Sequence, residues 1–144
     1  MYQILLLPLA AGLISQLIKF IIKSNRLSFR LDNLVAYSGM PSGHTAITIS
    51  LATIIGLKQG ISSPLFAVSV ILAILVIRDA VGLRRYLGEH GKVLNVLVKD
   101  LKDDRMLDEH YPHLLEKIGH TPLQILIGAI IGLFVSLLGY YVLN

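Results

Sequence analysis

Gly39-Met40-Pro41-Ser42-Gly43-His44-Thr45-Ala46 is a short polar turn set between two long apolar segments. That placement decides the fold, because the chain must leave an apolar layer, turn, and go back in. Pro41 fixes the direction of the turn, and Ser42 or Thr45 can cap the helix that follows. Gly43 lets backbone N–H groups come close to a ligand. Open N–H groups and the helix dipole together suit an anion, usually phosphate. His44 stands where it could pass a proton to a leaving group. The eight residues fit a blander reading equally well, a capped helix start with a lone interfacial histidine.

The totals support the apolar layer. Of 144 residues, 54% are hydrophobic and 15% charged, a balance foreign to soluble domains. The length reads as one domain, 1–144. No cysteine is present, so disulfides and thiolate metal sites are excluded. Net charge is +4. With so little polar surface, nucleic acid is not an expected partner; membrane lipids are.

Working outward from the turn, Met1 to Ile22 is apolar for most of its length, enough to cross about 30 Å of hydrocarbon as a helix. It has neither a basic N-region nor a small-residue cleavage site, which argues against a cleaved signal peptide. Gln16 and Lys19 fall on one face near its end, and Lys19 either points inward or snorkels to the surface. Lys23 to Met40 is a polar connection. A second apolar helix, short for a full span, is expected from Thr45 to about Leu57. Lys58-Gln59-Gly60 stops it, and Ser62-Ser63-Pro64 starts a third that runs to about Val81.

Tyr86 to Gly119 is the long polar region. Within it Val93, Leu94, Leu97, Val98 and Leu101 recur at helical spacing, which predicts an amphipathic helix lying on the membrane or on the domain, an insertion of about 86–118. Acidic and basic residues balance at eight each from Arg78 to His120, so most of this region is a solvated face. His110 and His113 beside Pro112 read as exposed loop residues. His120-Thr121-Pro122 opens the last apolar helix, which runs to about Leu143. Gly128, Gly132 and Ser136 make a small-residue stripe along it, and a homodimer through the Gly128–Gly132 face is an expectation. The fold class is therefore all-α, a polytopic membrane bundle of about four transmembrane helices plus one amphipathic interfacial helix.

Four membrane helices put loops 23–43 and 78–120 on one face. Of the 13 Lys and Arg residues, Lys58 alone belongs clearly to the other. The positive-inside rule then sets both loops in the cytoplasm of an inner or plasma membrane protein. Three polar groups share that face: the Pro41–His44 turn, the Arg78–Arg85 helix end, and His120. Positive-inside anchoring accounts for Arg84 and Arg85 but not for two histidine turns. Arginine offers a planar fork of donors matched to phosphate oxygens.

Pro41-Ser42-Gly43-His44 resembles the central motif of the type-2 phosphatidic acid phosphatase and vanadium haloperoxidase superfamily. The run from His120 to Gly132 is similar to its last motif, in which a histidine opens a helix and an aspartate follows four positions later. With Gly39-Met40-Pro41-Ser42-Gly43-His44, Asp79-x-x-Gly82-x-Arg84-Arg85, Leu94-Asn95 and Gly119-His120-Thr121-Pro122, nearly the whole chain closely resembles the small divergent bacterial and plastid branch of that superfamily.

The resemblance implies phosphate monoester hydrolysis through a phosphohistidine. His120 would attack phosphorus, and His44 would protonate the leaving alcohol and then activate water. Lys23, Arg30, Arg84 and Arg85, the Ser42–Gly43–His44 backbone and Thr121 would hold phosphate, without metal or other cofactor, and vanadate would act as a phosphate mimic. The substrate would be a lipid phosphate. Departures from the pattern leave alternatives. Leu114 stands where the superfamily has an arginine six before the histidine, so Arg84 or Arg85 is expected to replace it. Arg84 also stands six before His90, a rival nucleophile, although Leu94 then takes the aspartate position. Gln124 replaces the aspartate after His120 and can orient an imidazole without neutralising it; Asp79 is expected to supply that charge. Lys23 and Arg30 match the first motif weakly, since Leu31 stands where proline belongs. A lipid-phosphate-binding protein without turnover and an assembly subunit are the competing classes.

Overall fold

The computed structural model describes residues 2–22, 39–100, 114–116 and 118–143, in which five helices and no strand are found. Helix α1 spans Tyr2–Ile21, α2 Gly43–Gln59, α3 Pro64–Val81, α4 Leu83–Asp100 and α5 Pro122–Leu143. At 1.5 Å per residue, the 20 residues of α1 reach about 30 Å, the thickness of bilayer hydrocarbon. Among the described residues, three helices are long and apolar enough to cross a membrane: α1, α3 with its α4 continuation, and α5.

Helix α2 is the exception, and its packing explains why. It is flanked by α1, α3 and α5, so its side chains meet protein rather than lipid. Thr45, Ala46, Thr48, Ser50 and Ala52 are buried on it. Meanwhile Leu5, Leu13, Val68, Leu75, Leu126 and Phe134 are exposed on the surrounding helices. Small and hydroxyl residues inside, large aliphatic ones outside: this inverts the soluble pattern and suits a bundle solvated by lipid, where close backbone approach and interhelical hydrogen bonds hold helices together.

The α2–α5 contact shows both devices. A Cβ on Gly128 would strike the Ser42 carbonyl, and one on Gly132 the Ala46 carbonyl. One turn further along, the Ser136 hydroxyl donates to the Ser50 carbonyl at 2.9 Å. The two hydroxyl oxygens lie 2.6 Å apart, so Ser136 Oγ accepts from Ser50. The small-residue stripe expected to join two copies is thus occupied within one chain, and a homodimer would need another face.

Local signals set the ends. Ser42 Oγ accepts from the Thr45 N–H at 3.4 Å, and Ser63 Oγ accepts from the Phe66 N–H at 3.1 Å with Pro64 in the first turn. At one end of the bundle Gln3 Nε2 donates to the Leu143 carbonyl at 2.9 Å, and Lys58 Nζ lies 5.8 Å from the centre of the Tyr140 ring. The other end gathers the α2 start, the α3–α4 bend at Gly82 and the α5 start. Here Ser42 N–H donates to the Gln124 carbonyl and His120 N–H to the Ala80 carbonyl, each at 3.0 Å.

Helix α4 starts at Leu83, earlier than the expected insertion, because Gly82 bends the chain without ending the helical run. Its Gly88, Gly91 and Asn95 form one face, which receives Leu114, Leu115, Glu116 and Ile118. Asn95 Nδ2 donates to the Leu114 carbonyl and Asn95 Oδ1 accepts the Leu114 N–H, both at 2.9 Å. A Cβ on Gly88 would stand 2.5 Å from the Glu116 carbonyl oxygen. The apolar face, with Leu83, Tyr86, Leu87, Val93, Leu94 and Leu97, is exposed. The amphipathic helix therefore packs on its own chain by a glycine face and turns its apolar face outward.

Candidate functional site

His120 is held from three directions. Its N–H is tied to Ala80 at the end of α3. Gly119 before it has φ +89, and a Cβ there would meet the Arg85 nitrogen at 2.8 Å and the Ala80 oxygen at 3.0 Å. Only glycine fits so close an approach in that conformation. Its ring Nδ1 lies 3.2 Å from Gln124 Oε1. The same Oε1 accepts the Thr121 N–H at 3.0 Å, while Thr121 Oγ1 accepts the Gln124 N–H at 3.4 Å.

That reciprocal pair is a capping box, Thr121 at the N-cap and Gln124 three residues on, with Pro122 in the first turn. It also fixes the imidazole tautomer. A backbone N–H can only donate, so the atom it meets is the amide oxygen, which can only accept. His120 Nδ1 must then carry the hydrogen, and Nε2 presents the lone pair. Burial pushes the His120 imidazole below its ordinary 6.5; the Gln124 hydrogen bond pulls it back up, and the charges of Lys19, His44 and Arg84 press it down further. His120 is 5% exposed, and this burial favours the neutral imidazole.

His44 lies at the mouth of α2, exposed. Partial burial pushes its imidazole below the ordinary 6.5, the charges of Arg84 and Lys19 press it down further, and Asp79 pulls it back up. The two imidazoles thus share one electrostatic field with Lys19 and Arg84, although 76 positions separate them in the sequence. The Ser42–Gln124 backbone bond is the physical link, since it locks the start of α2 to the first turn of α5.

Lys19 is the residue that sequence reasoning did not place in the site. It is 2% exposed, so it points inward rather than snorkelling. Gln16, one turn earlier, lies beside Gly43, its Cδ 3.9 Å from where a side chain there would begin. Its Oε1 is buried without a hydrogen-bond partner among the described residues. The face shared by Gln16 and Lys19 was the available signal.

The remaining candidates separate. Arg84 Nε donates to Asp79 Oδ2 at 2.5 Å across the Gly82 bend, so Asp79 orients Arg84 instead of neutralising His120. Arg85 turns away and donates to Glu89 at 3.3 Å on the exposed flank of α4. His90 is exposed on α4 and is not brought to the other groups. Ser42 is buried, its N–H spent on Gln124 and its hydroxyl on Thr45. The N–H groups of Gly43 and His44 lie in the first turn of α2, ahead of the first intrahelical bond. Thr121 is occupied by its capping box. Lys23 and Arg30 lie outside the described residues, as do His110 and His113.

A family model described as "Divergent PAP2 family" matches residues 2–135. The chain is also 36% identical over 151 residues to a Bacillus subtilis (strain 168) protein described as the uncharacterized membrane protein YuiD, covering 95% of this chain and 93% of that one. No solved structure matches it.

Proposed function

Because the chain belongs to the divergent PAP2 family, a phosphatase-related group of membrane proteins, we propose that it is a lipid-phosphate phosphatase working through a phosphohistidine. The observation that supports this reading is the setting of His120: a buried imidazole whose Nδ1 is held by Gln124 Oε1, with Lys19 and Arg84 acting on it. His120 Nε2 attacks phosphorus as the bond to the lipid oxygen breaks, and His44, protonated, gives its proton to the departing alkoxide. A water then loses a proton to His44 and attacks phosphorus. The P–N bond breaks, its electron pair returns to His120, and orthophosphate leaves.

Lys19 and Arg84, with the Gly43 and His44 N–H groups, hold the non-bridging oxygens, where charge stabilisation does most of the work of phosphoryl transfer. Asp79 positions Arg84. The basic loops set this site at the cytoplasmic face of the membrane, and the substrate is a lipid phosphate such as phosphatidylglycerol phosphate, phosphatidic acid or a polyprenyl phosphate or diphosphate.

The test is phosphate release from short-chain phosphatidic acid by detergent-solubilised protein, with vanadate as inhibitor. His120→Ala loses turnover and the acid-labile phosphoenzyme together. His44→Ala loses turnover on lipid substrates yet still forms phosphoenzyme from p-nitrophenyl phosphate, whose leaving group needs no proton. Full turnover in His120→Ala refutes the mechanism. Gln124 in place of a carboxylate favours a second reading, a lipid-phosphate binder, whose signature is vanadate binding without phosphate release.

A further inference from the structure

Beneath the site, α1 and α5 leave an apolar groove of about 570 Å³ between them, within the range of roughly 300–1,000 Å³ typical of small-molecule sites. Ile14 and Ile18 line it from α1, and Ile131, Val135 and Val142 from α5. Resting on the phosphatase reading above, we propose that this groove holds one hydrocarbon tail of the lipid phosphate while the head lies at His120. The substrate class is then a phosphate carried on a long alkyl, acyl or prenyl chain.

Continuity with the site identifies the occupant. On α1 the groove reaches Ile18, about 1.5 Å along the helix from Lys19, so its upper end is level with that buried side chain. On α5 the spacings from Gln124 to Ile131, Val135 and Val142 are seven, four and seven residues, which puts all four on one face of the helix. The residue that holds the His120 ring therefore stands at the head of the same face that forms the groove wall. At the far end the helices are closed together: Gln3 Nε2 donates to the Leu143 carbonyl at 2.9 Å, and Leu7 fills the space a Gly139 side chain would need. The walls that carry the argument are aliphatic throughout, so a tail gains there by contact and not by hydrogen bonding. The neighbouring α2–α5 seam offers no such room, because Gly128 and Gly132 are pressed against α2 backbone.

The test compares kcat/KM for hexadecyl phosphate and butyl phosphate in detergent-solubilised protein. Wild type prefers the long chain. Ile131→Trp and Ile14→Trp, one on each wall, lower the ratio of the two kcat/KM values about tenfold, the scale on which hydrophobic pockets discriminate. A ratio unchanged in both variants overturns the proposal. A hexadecyl phosphate carrying a photoreactive diazirine in its tail reads the groove independently of turnover and of variant folding. Labelling of α1 and α5 groove residues in wild type supports the proposal, and labelling confined to other helices overturns it. If neither phosphate is hydrolysed, the phosphatase reading fails while the photolabel still decides the groove. The native chain has no cysteine, so a Phe134→Cys variant that forms disulfide-linked pairs in lipid vesicles would show a second copy in the groove, also overturning the proposal.

Discussion

Replacing Gln124 by Glu keeps the side-chain length and both hydrogen bonds it accepts, and adds one negative charge at the His120 ring. The distance from Oε1 to Nδ1 is 3.2 Å. An opposite charge at such range favours the protonated imidazole, typically by about 1–3 pH units. In the wild type burial leads the causes that hold His120 below 6.5, and Gln124→Glu opposes that push. At pH 7 more of the variant's His120 is protonated and unable to attack. Phosphate release falls there and recovers as the pH is raised, the acid limb of the profile having moved upward by the same 1–3 units.

Stability moves the other way. A glutamate at the third position of α5 suits both the capping box and the positive end of the helix dipole, a gain of about 0.3–1 kcal/mol. In wild type the sign is set by the depressed ring: as pH falls through 6.5 the unfolded chain takes up a proton that the folded site resists, so stability drops on acidification. In the variant that acid loss shrinks. Titration of the ring by NMR of histidine-labelled protein in detergent reads the central quantity without any assay of activity. A His120 midpoint that stays put, or moves down, in Gln124→Glu would show that Gln124 does not hold Nδ1 and would falsify the tautomer on which the mechanism rests.

Three other perturbations bear on the architecture of the site. Gly132→Val puts a branched side chain against the Ala46 carbonyl, an overpacking cost of about 1–3 kcal/mol; a lowered detergent-melting temperature with loss of vanadate binding is expected, since the same seam ties the start of α2 to the first turn of α5. Arg84→Ala should cut kcat/KM far more than Arg85→Ala, because Arg85 is bonded outward to Glu89; equal losses would reverse the assignment. Asn95→Ala removes both bonds to Leu114, worth about 1 kcal/mol each, so exchange of the Leu114 amide should quicken.

Much of this arrangement is legible in the residues, and the illegible part has a definite cause. Helices α1, α3 and α5 follow from apolar length, and Ser63-Pro64 marks the start of α3 by capping chemistry that needs no tertiary context. The choice between Arg84 and Arg85 could not be made that way. Neighbouring helical residues differ by about 100° in direction, and which one faces the site depends on α4 starting at Leu83, immediately after the Gly82 bend. Lys19 is similar: depth in an apolar helix singles it out, but burial against the α2 start is a tertiary fact. The Thr121–Gln124 capping box was written in the sequence as Thr-Pro-Leu-Gln, although an expected aspartate at position 124 drew attention to what glutamine lacks instead of what it does.

What glutamine does follows from where the site lies. A buried carboxylate beside His120 would pair with any positive charge the ring acquires, raising its basicity, but it would also repel an arriving phosphate and cost several kcal/mol to bury at the edge of a bilayer. Gln124 supplies the hydrogen bond alone. Among the described residues, Asp79 is committed to Arg84, and Lys19 adds positive charge to the field around both rings. Relative to an aspartate at position 124, the pocket is more positive by one charge. The imidazole is less basic, hence a weaker nucleophile but one more fully neutral at pH 7. Gln124→Asp tests that exchange separately from Gln124→Glu, because its shorter side chain brings the charge without reaching both Thr121 N–H and Nδ1. It should weaken vanadate binding while leaving the ring tautomer unfixed. A Gln124→Asp variant that binds vanadate more tightly than wild type would mean that the pocket's charge is balanced some other way.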